Sequence, residues 1–279
     1  MSKVVEFYGY SAKSDKLDWN AIVKAQLCPF RNRVCTKIRK SSPDVSIGTC
    51  TVKYGKTNGG VIICPFRLLE RQQIFFDCLQ LLQLHVPGNE LHVIPEVAIP
   101  GGNVDYFLVS ATTERRVVDF VGIELQTLDT TGTLWPERQK LLEELNISHK
   151  SLPHKNFGMN WKMTAKTILV QLHHKIETFE NLNRHLVLVI QDCLLDYMKK
   201  EFDFSRISDN ARLGDSMQFH VYSLSKRKDK YILKLNHRYS TDSNGLSTLL
   251  GLHANPNIDF DTIASLLEEK LTDDTLLHF

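Results

Sequence analysis

The order of hydrophobic patterns predicts an α/β fold, a mixed sheet flanked by helices. Three observations carry this. Strand-like runs follow one another at about 91–99, 103–110 and 116–126. The stretch at about 160–180 (NWKMTAKTILVQLHHKIETFE) has the apolar spacing of an amphipathic helix. The run from Arg184 to Gln191 (RHLVLVIQ) is almost continuously apolar and reads as a buried strand. An antiparallel start, a crossover helix and a fourth strand make an α/β sandwich.

In order along the chain, residues 18–27 (LDWNAIVKAQ) suggest a short helix, and residues 28–66, with scattered Gly, Ser, Asn and Pro, read as loop. One internal echo stands out: Cys28-Pro29-Phe30-Arg31 recurs as Cys64-Pro65-Phe66-Arg67. From Arg67 to Leu84 (RLLERQQIFFDCLQLLQL) the apolar spacing is helical, and Pro87-Gly88-Asn89 ends it. Pro100-Gly101-Gly102 signals a hairpin between the first two strands. After Gln126 a polar loop (TLDTTGTLWPERQ) leads to a charged helix near 136–146. A short helix is expected at 192–201, an alternating and peripheral hairpin at 217–238, and a C-terminal helix at 259–271. The expected division is an N-terminal region, 1–66, a core, 67–205, and a peripheral C-terminal part, 206–279.

The chain has 279 residues, 42% of them apolar and 24% charged, the composition of an ordinary globular protein. A formal net charge of +2 is too small to identify a nucleic-acid partner by itself. No apolar run approaches a membrane span, and the opening MSKVVEFYGYSAKSDK lacks a signal peptide's apolar core. The expected location is the cytoplasm, with no membrane partner. There, six cysteines do not suggest disulfides. Cys78 and Cys193 lie in apolar surroundings and read as buried thiols.

The chemistry is concentrated in the strands. Asp105 sits inside the second, and Glu124 and Gln126 inside the third. Acidic groups within apolar strands are costly unless something pairs with them, and hard divalent cations select carboxylate and amide oxygens. With Gly101-Gly102 as a two-residue turn, Ala98 faces Asp105 and Glu96 becomes its diagonal neighbour on the same face. Val104, Tyr106, Ile123 and Leu125 then point the other way. Such a cluster suits a metal-dependent phosphodiester nuclease: Mg²⁺ held by Asp105 and Glu124 lowers the pKa of a bound water and stabilises the leaving oxygen. Gln126 stands where a lysine usually orients the nucleophile, and Glu96 is placed for a second metal or its water shell. The competing reading is a solvated polar sheet face, as Asp119 on the same strand suggests.

Four cysteines crowd into the first quarter of the chain: Cys28, Cys35, Cys50 and Cys64. Four thiolates in a loop-rich segment suit tetrahedral zinc or iron, although the spacing lacks a CxxC…CxxC signature. The residues alone leave metal ligands and buried thiols both open. The segment is basic: Lys24, Arg31, Arg33, Lys37, Arg39, Lys40, Lys53, Lys56 and Arg67 stand against Asp44. It could lie along DNA phosphates or simply be solvated. Lys199, Lys200, Arg206, Arg212, Lys226, Arg227, Lys228 and Lys230 form a looser set. Arg138 is a candidate for base contact or for a surface role at its helix start.

The string PEVAIPGGNVDYFLVS, followed by VVDFVGIELQTLDTTGTLWPERQ, resembles the NotI-type restriction endonucleases. The similarity covers most of residues 25–200 and is most specific across 95–139. It implies a PD-(D/E)XK nuclease core, Mg²⁺-dependent cleavage of double-stranded DNA to 5′-phosphate and 3′-hydroxyl ends, and a homodimer acting on a palindromic, GC-rich site. A cognate DNA methyltransferase would be its functional partner in a prokaryotic cytoplasm. The resemblance implies that Asp105, Glu124 and Gln126 carry the chemistry with an upstream glutamate: Glu96 is the best match, and Glu90 and Glu70 stay open. It also implies that Cys28, Cys35, Cys50 and Cys64 hold a structural iron in a rubredoxin-like arrangement; sequence does not separate iron from zinc. The alternatives are a repair or recombination nuclease of the same fold and a non-catalytic, metal-stapled DNA-binding protein.

Overall fold

The computed structural model describes residues 1–252 except 40, 56, 58 and 148–155, together with residue 265. The C-terminal helix expected at 259–271 lies outside the described residues.

Six strands form the main sheet: β1 (Glu90–Ile99), β2 (Gly102–Ala111), β3 (Val117–Gln126), β4 (His185–Gln191), β5 (Met217–Arg227) and β6 (Lys230–Thr241). They lie side by side in chain order. β1–β2, β2–β3 and β5–β6 pair antiparallel, and β3–β4 and β4–β5 pair parallel. Parallel steps need crossovers. The helices in chain order are α1 (Trp19–Ala25), α2 (Trp135–Glu144), α3 (Trp161–Asn181), α4 (Asp192–Glu201) and α5 (Ser243–Leu249). Thus α2 and α3 fall between β3 and β4, and α4 between β4 and β5. The molecule is mixed α/β.

Every residue of β4 is buried, as a central strand covered on both faces requires. On one face Phe107, Leu186 and Leu188 pack in a cluster with Ile168, Leu172 and Phe179 of α3. On the other, Leu108, Ile123 and Val187 join Leu68, Ile74 and Leu81. Gly122 lets α3 approach, since a Cβ there would run into the Phe179 ring. Tyr106, Ile123 and Leu125 pack on the second face as expected, but Val104 joins the first cluster.

Three expectations change. The hairpin at 217–238 is not peripheral. β5 pairs with β4 and buries Phe219 and His220 completely, so the C-terminal part extends the core sheet. Its alternation misleads because β5 is covered on both faces at its start. Residues 67–84 are not one helix: a 3-10 stretch at Pro65–Gln72 gives way to a single α-turn at Gln73–Phe76 and a 3-10 turn at Leu79–Leu81. Arg71 and Gln72 adopt positive φ (53° and 57°), which a continuous right-handed helix excludes. Residues 28–66 are not all loop. Thr49–Val52 and Val61–Ile62 join Val4–Phe7 and Tyr10–Ser11 in a four-stranded sheet.

That N-terminal sheet is tied to the core rather than set apart. Gln191, at the end of β4, accepts from Ile62 N (2.8 Å) and donates to Gly60 O (2.7 Å). The Arg67 guanidinium, fully buried, donates to both oxygens of buried Glu6 (2.8 and 3.0 Å), to Glu70 (3.1 Å) and to the Tyr231 carbonyl (3.0 Å). It cannot serve a DNA phosphate.

Candidate active site and cysteine cluster

β1 and β2 pair with Ile99 opposite Gly102, Val97 opposite Val104 and Pro95 opposite Tyr106. The turn is therefore Pro100-Gly101, and Ala98 faces Asn103 rather than Asp105. A slip of one turn residue moves every pairing along the strand. The position across from Asp105 is then Glu96. Its φ of 53° places a non-glycine residue in the left-handed region, where about 1–3 kcal/mol of strain must be held by the surroundings. On the other side Tyr106 faces Ile123, and continuing that register sets Asp105 beside Glu124. Glu96, Asp105 and Glu124 thus form a row across three adjacent strands, with Gln126 two residues beyond.

The row is unequal in exposure. Glu96 is exposed, Asp105 half-buried and Glu124 buried. One oxygen of Asp105 accepts from Leu125 N (2.8 Å), which fixes its rotamer. Its pKa is raised, first by burial and further by the Glu96 charge, against the lowering by the Leu125 amide and Lys175. The Glu124 carboxyl is pushed up to about 7 by burial; the nearby Asp105 charge adds to this and the Lys175 ion pair opposes it. Both carboxyls are thus raised chiefly because they are buried, with a neighbouring carboxylate's charge adding to it and Lys175 opposing it. Gln126 turns its amide to its own chain, donating from Nε2 to Thr127 O (2.6 Å).

The other expected acids lie elsewhere. Glu90 is opposite Ala111 at the far end of the hairpin and pairs with Arg115 and His92. Glu70 holds Arg67 and accepts from Leu233 N (2.7 Å). Asp119 does not face water: it is buried and pairs with Arg184 (2.9 Å). Arg138 is buried as well, donating to Ser46 O (3.1 Å) and lying over the Trp135 ring, so it is not free to read a base.

The four early cysteines come together. Cys28, Cys35, Cys50 and Cys64 line one cavity of about 20 Å³, with Lys37 at its wall. The echoed segments are the reason. Cys28 sulfur accepts from the backbone N–H groups of Phe30 and Arg31, and Cys64 sulfur from those of Phe66 and Arg67. The arginines cross over: Arg31 lies 4.2 Å from the Phe66 ring centre and Arg67 5.0 Å from that of Phe30. Two Cys-Pro-Phe-Arg turns thus face each other and lock. Cys64 is lowered, chiefly by the S–H that Cys50 donates and then by Lys37 and the two amides; Cys50 is correspondingly raised by giving that bond and by burial.

The chain matches no known family model, and no curated protein matches it.

Lys175, on α3, was not a sequence-level candidate. It is 4% exposed, donates to Glu124 Oε1 (2.5 Å), and also donates to the Asn103 carbonyl. The signal was present: Ile168, Leu172, Lys175 and Phe179 recur at four, three and four residues, which puts a lysine on the helix's apolar stripe. Among the described residues no group of three or more His, Cys, Asp or Glu side chains is arranged so that it could hold a metal ion. Within the carboxylate row, Glu124 is paired with the Lys175 ammonium.

Proposed function

We propose that this chain is a Mg²⁺-dependent endonuclease for double-stranded DNA, built on a PD-(D/E)XK core and working as a type II restriction enzyme. The observation that carries the reading is the row Glu96–Asp105–Glu124. Glu124 pairs there with the Lys175 ammonium, Asp105 lies beside it, and Glu96 stands next to Asp105 at a left-handed position on the edge strand. The order of three antiparallel strands, crossover helix and parallel strand supports the same core.

The donors suit a hard cation: all are oxygens, two have raised pKa values, and the local charge is negative. Asp105 and Glu124 would hold Mg²⁺, with Glu96 beside them. When bound, the ion would supply an acidified water and screen the phosphate's charge. The protein's own part is placement. Leu125 N–H orients Asp105, Lys175 keeps Glu124 in position, and Gln126 contributes amide hydrogen bonds alone.

The cysteine cluster reads as a structural iron or zinc site. Sulfur donors select such metals; Cys64 is already lowered, while Cys28 is raised by burial, against which the backbone N–H groups of Phe30 and Arg31 work. The exposed Lys24, Arg33, Arg39 and Lys53 of the same region offer charge to DNA phosphates. A homodimer on a two-fold site, in a prokaryotic cytoplasm alongside a methyltransferase, completes the reading. Among the described residues no helix is long and apolar enough to cross a membrane.

Digesting mixed-sequence DNA with Mg²⁺ and sequencing the ends tests this. Defined ends are expected, and Asp105→Ala should abolish cleavage while sparing DNA affinity in Ca²⁺. Normal cleavage by that variant would falsify the site. Cutting confined to forks or junctions points to a repair nuclease, and tight, salt-sensitive binding without cleavage to a binding protein.

A further inference from the structure

Lys175 is held from three directions. The apolar stripe of α3 carries it inward, among Ile168, Leu172 and Phe179. The β1–β2 turn lies directly against its helix: a Cβ at Gly101 would collide with the His174 carbonyl, and one at Gly102 would stand 3.3 Å from Lys175 Cε. The ammonium then meets Glu124 and the Asn103 carbonyl. An ammonium has three N–H donors. Two go to these oxygens, and the third has no partner among the described residues. Gln126, by contrast, is neutral and tethered to Thr127 O.

We propose that Lys175 is a catalytic residue: from the crossover helix it supplies the positive charge that orients and polarises the attacking water, for which position 126 offers only an amide. This rests on the nuclease reading. The water oxygen bonds to phosphorus as the bond to the 3′-oxygen breaks. The water's proton passes to bulk solvent, and the leaving oxygen takes one from it. Lys175 contributes its positive charge where negative charge develops, in a place where burial strengthens it. It lies next to the metal-binding oxygens, so it repels the ion slightly while serving the water.

The test compares the parent chain, Lys175→Met, Lys175→Gln and the double variant Lys175→Met/Gln126→Lys. Cleavage of double-stranded DNA is measured at saturating Mg²⁺, and Mn²⁺ binding by calorimetry. Lys175→Met should cleave about 100–1,000-fold more slowly, the loss typical of one removed electrostatic donor. It should bind Mn²⁺ as well as the parent or better, and regain part of the rate when Gln126→Lys returns the charge from the strand. Lys175→Gln keeps the hydrogen bonds without the charge and should be as slow, so a poorly folded methionine variant does not spoil the test. Parent-like cleavage by both single variants at saturating metal overturns the proposal. Weaker Mn²⁺ binding that accounts for the whole loss also overturns it, and leaves Lys175 as a brace for Glu124. A parent chain inert with Mg²⁺ removes the nuclease reading, and the lysine's role with it. A parent that cleaves, an inert Asp105→Ala and an unaffected Lys175→Met would remove the lysine's role alone.

Discussion

At the residue scale, Glu124 sets how the candidate site responds to pH. Its carboxyl is raised to about 7, chiefly by burial. A carboxyl with a folded value above its unfolded one binds its proton more tightly when folded. Its stabilising contribution is therefore complete below the unfolded value and is lost as pH rises through about 7. A divalent cation binds the deprotonated form and stabilises what it binds. The rise in Tm caused by Ca²⁺ should therefore be larger at about pH 8 than at about pH 5.5, and Asp105→Ala should reduce it at both. Cleavage in Mg²⁺ should climb through neutrality on the same titration. A Ca²⁺ effect that is equal at both pH values would show that the carboxylate row is not where the ion binds. Glu96 belongs to this scale too. Its left-handed backbone is the structural sign of a special position, and no property of Pro-Glu-Val as a tripeptide announces it.

At the scale of elements, two joints decide whether the strands meet correctly. One is the buried pair Glu6–Arg67, which pins the N-terminal strand Val4–Phe7 to the bend after Cys64 and, through Tyr231, to β6. Glu6→Ala leaves the buried guanidinium with Glu70 as its remaining carboxylate partner and should cost up to about 3–5 kcal/mol in denaturant unfolding. A loss below about 1 kcal/mol would show that water reaches Arg67. The other joint is the turn at Gly101, where φ is +95° and α3 packs close. Gly101→Ala should cost more than about 1 kcal/mol and depress cleavage, because it pushes the Lys175 helix away from the carboxylates. The strands, α3 and α4 were readable from period and punctuation, since each buries a regular stripe. The 67–84 segment was not, because its apolar residues are buried in short turns around Arg67 rather than along one helical face.

For the whole molecule, the cysteine region and the main sheet share one core: Val52, Val61 and Ile63 pack in the same cluster as β4 and α3. Metal at the four cysteines would then brace the entire fold. Elemental analysis of the parent chain should find iron or zinc near one atom per chain. Cys50→Ser should lose it and lower Tm, since metal binding of this kind is folding free energy. A parent chain without metal would leave the four thiols as core residues. DNA affinity should fall steeply with salt, and neutralising Arg33 and Arg39 should flatten that dependence.

By itself, the sequence determined the α/β class, the succession of strands and crossovers, and the strands on which Asp105, Glu124 and Gln126 lie, because alternation and helical period are local properties of the chain. The repeated Cys-Pro-Phe-Arg likewise marked the two turns that face each other. Only tertiary structure decided the hairpin register that brings Glu96 against Asp105, the burial of Arg67, Asp119 and Arg138, and the arrival of Lys175 at Glu124. Those depend on how distant segments satisfy one another's charge out of water, and a charged side chain carries no mark of whether a partner 51 positions away will bury it.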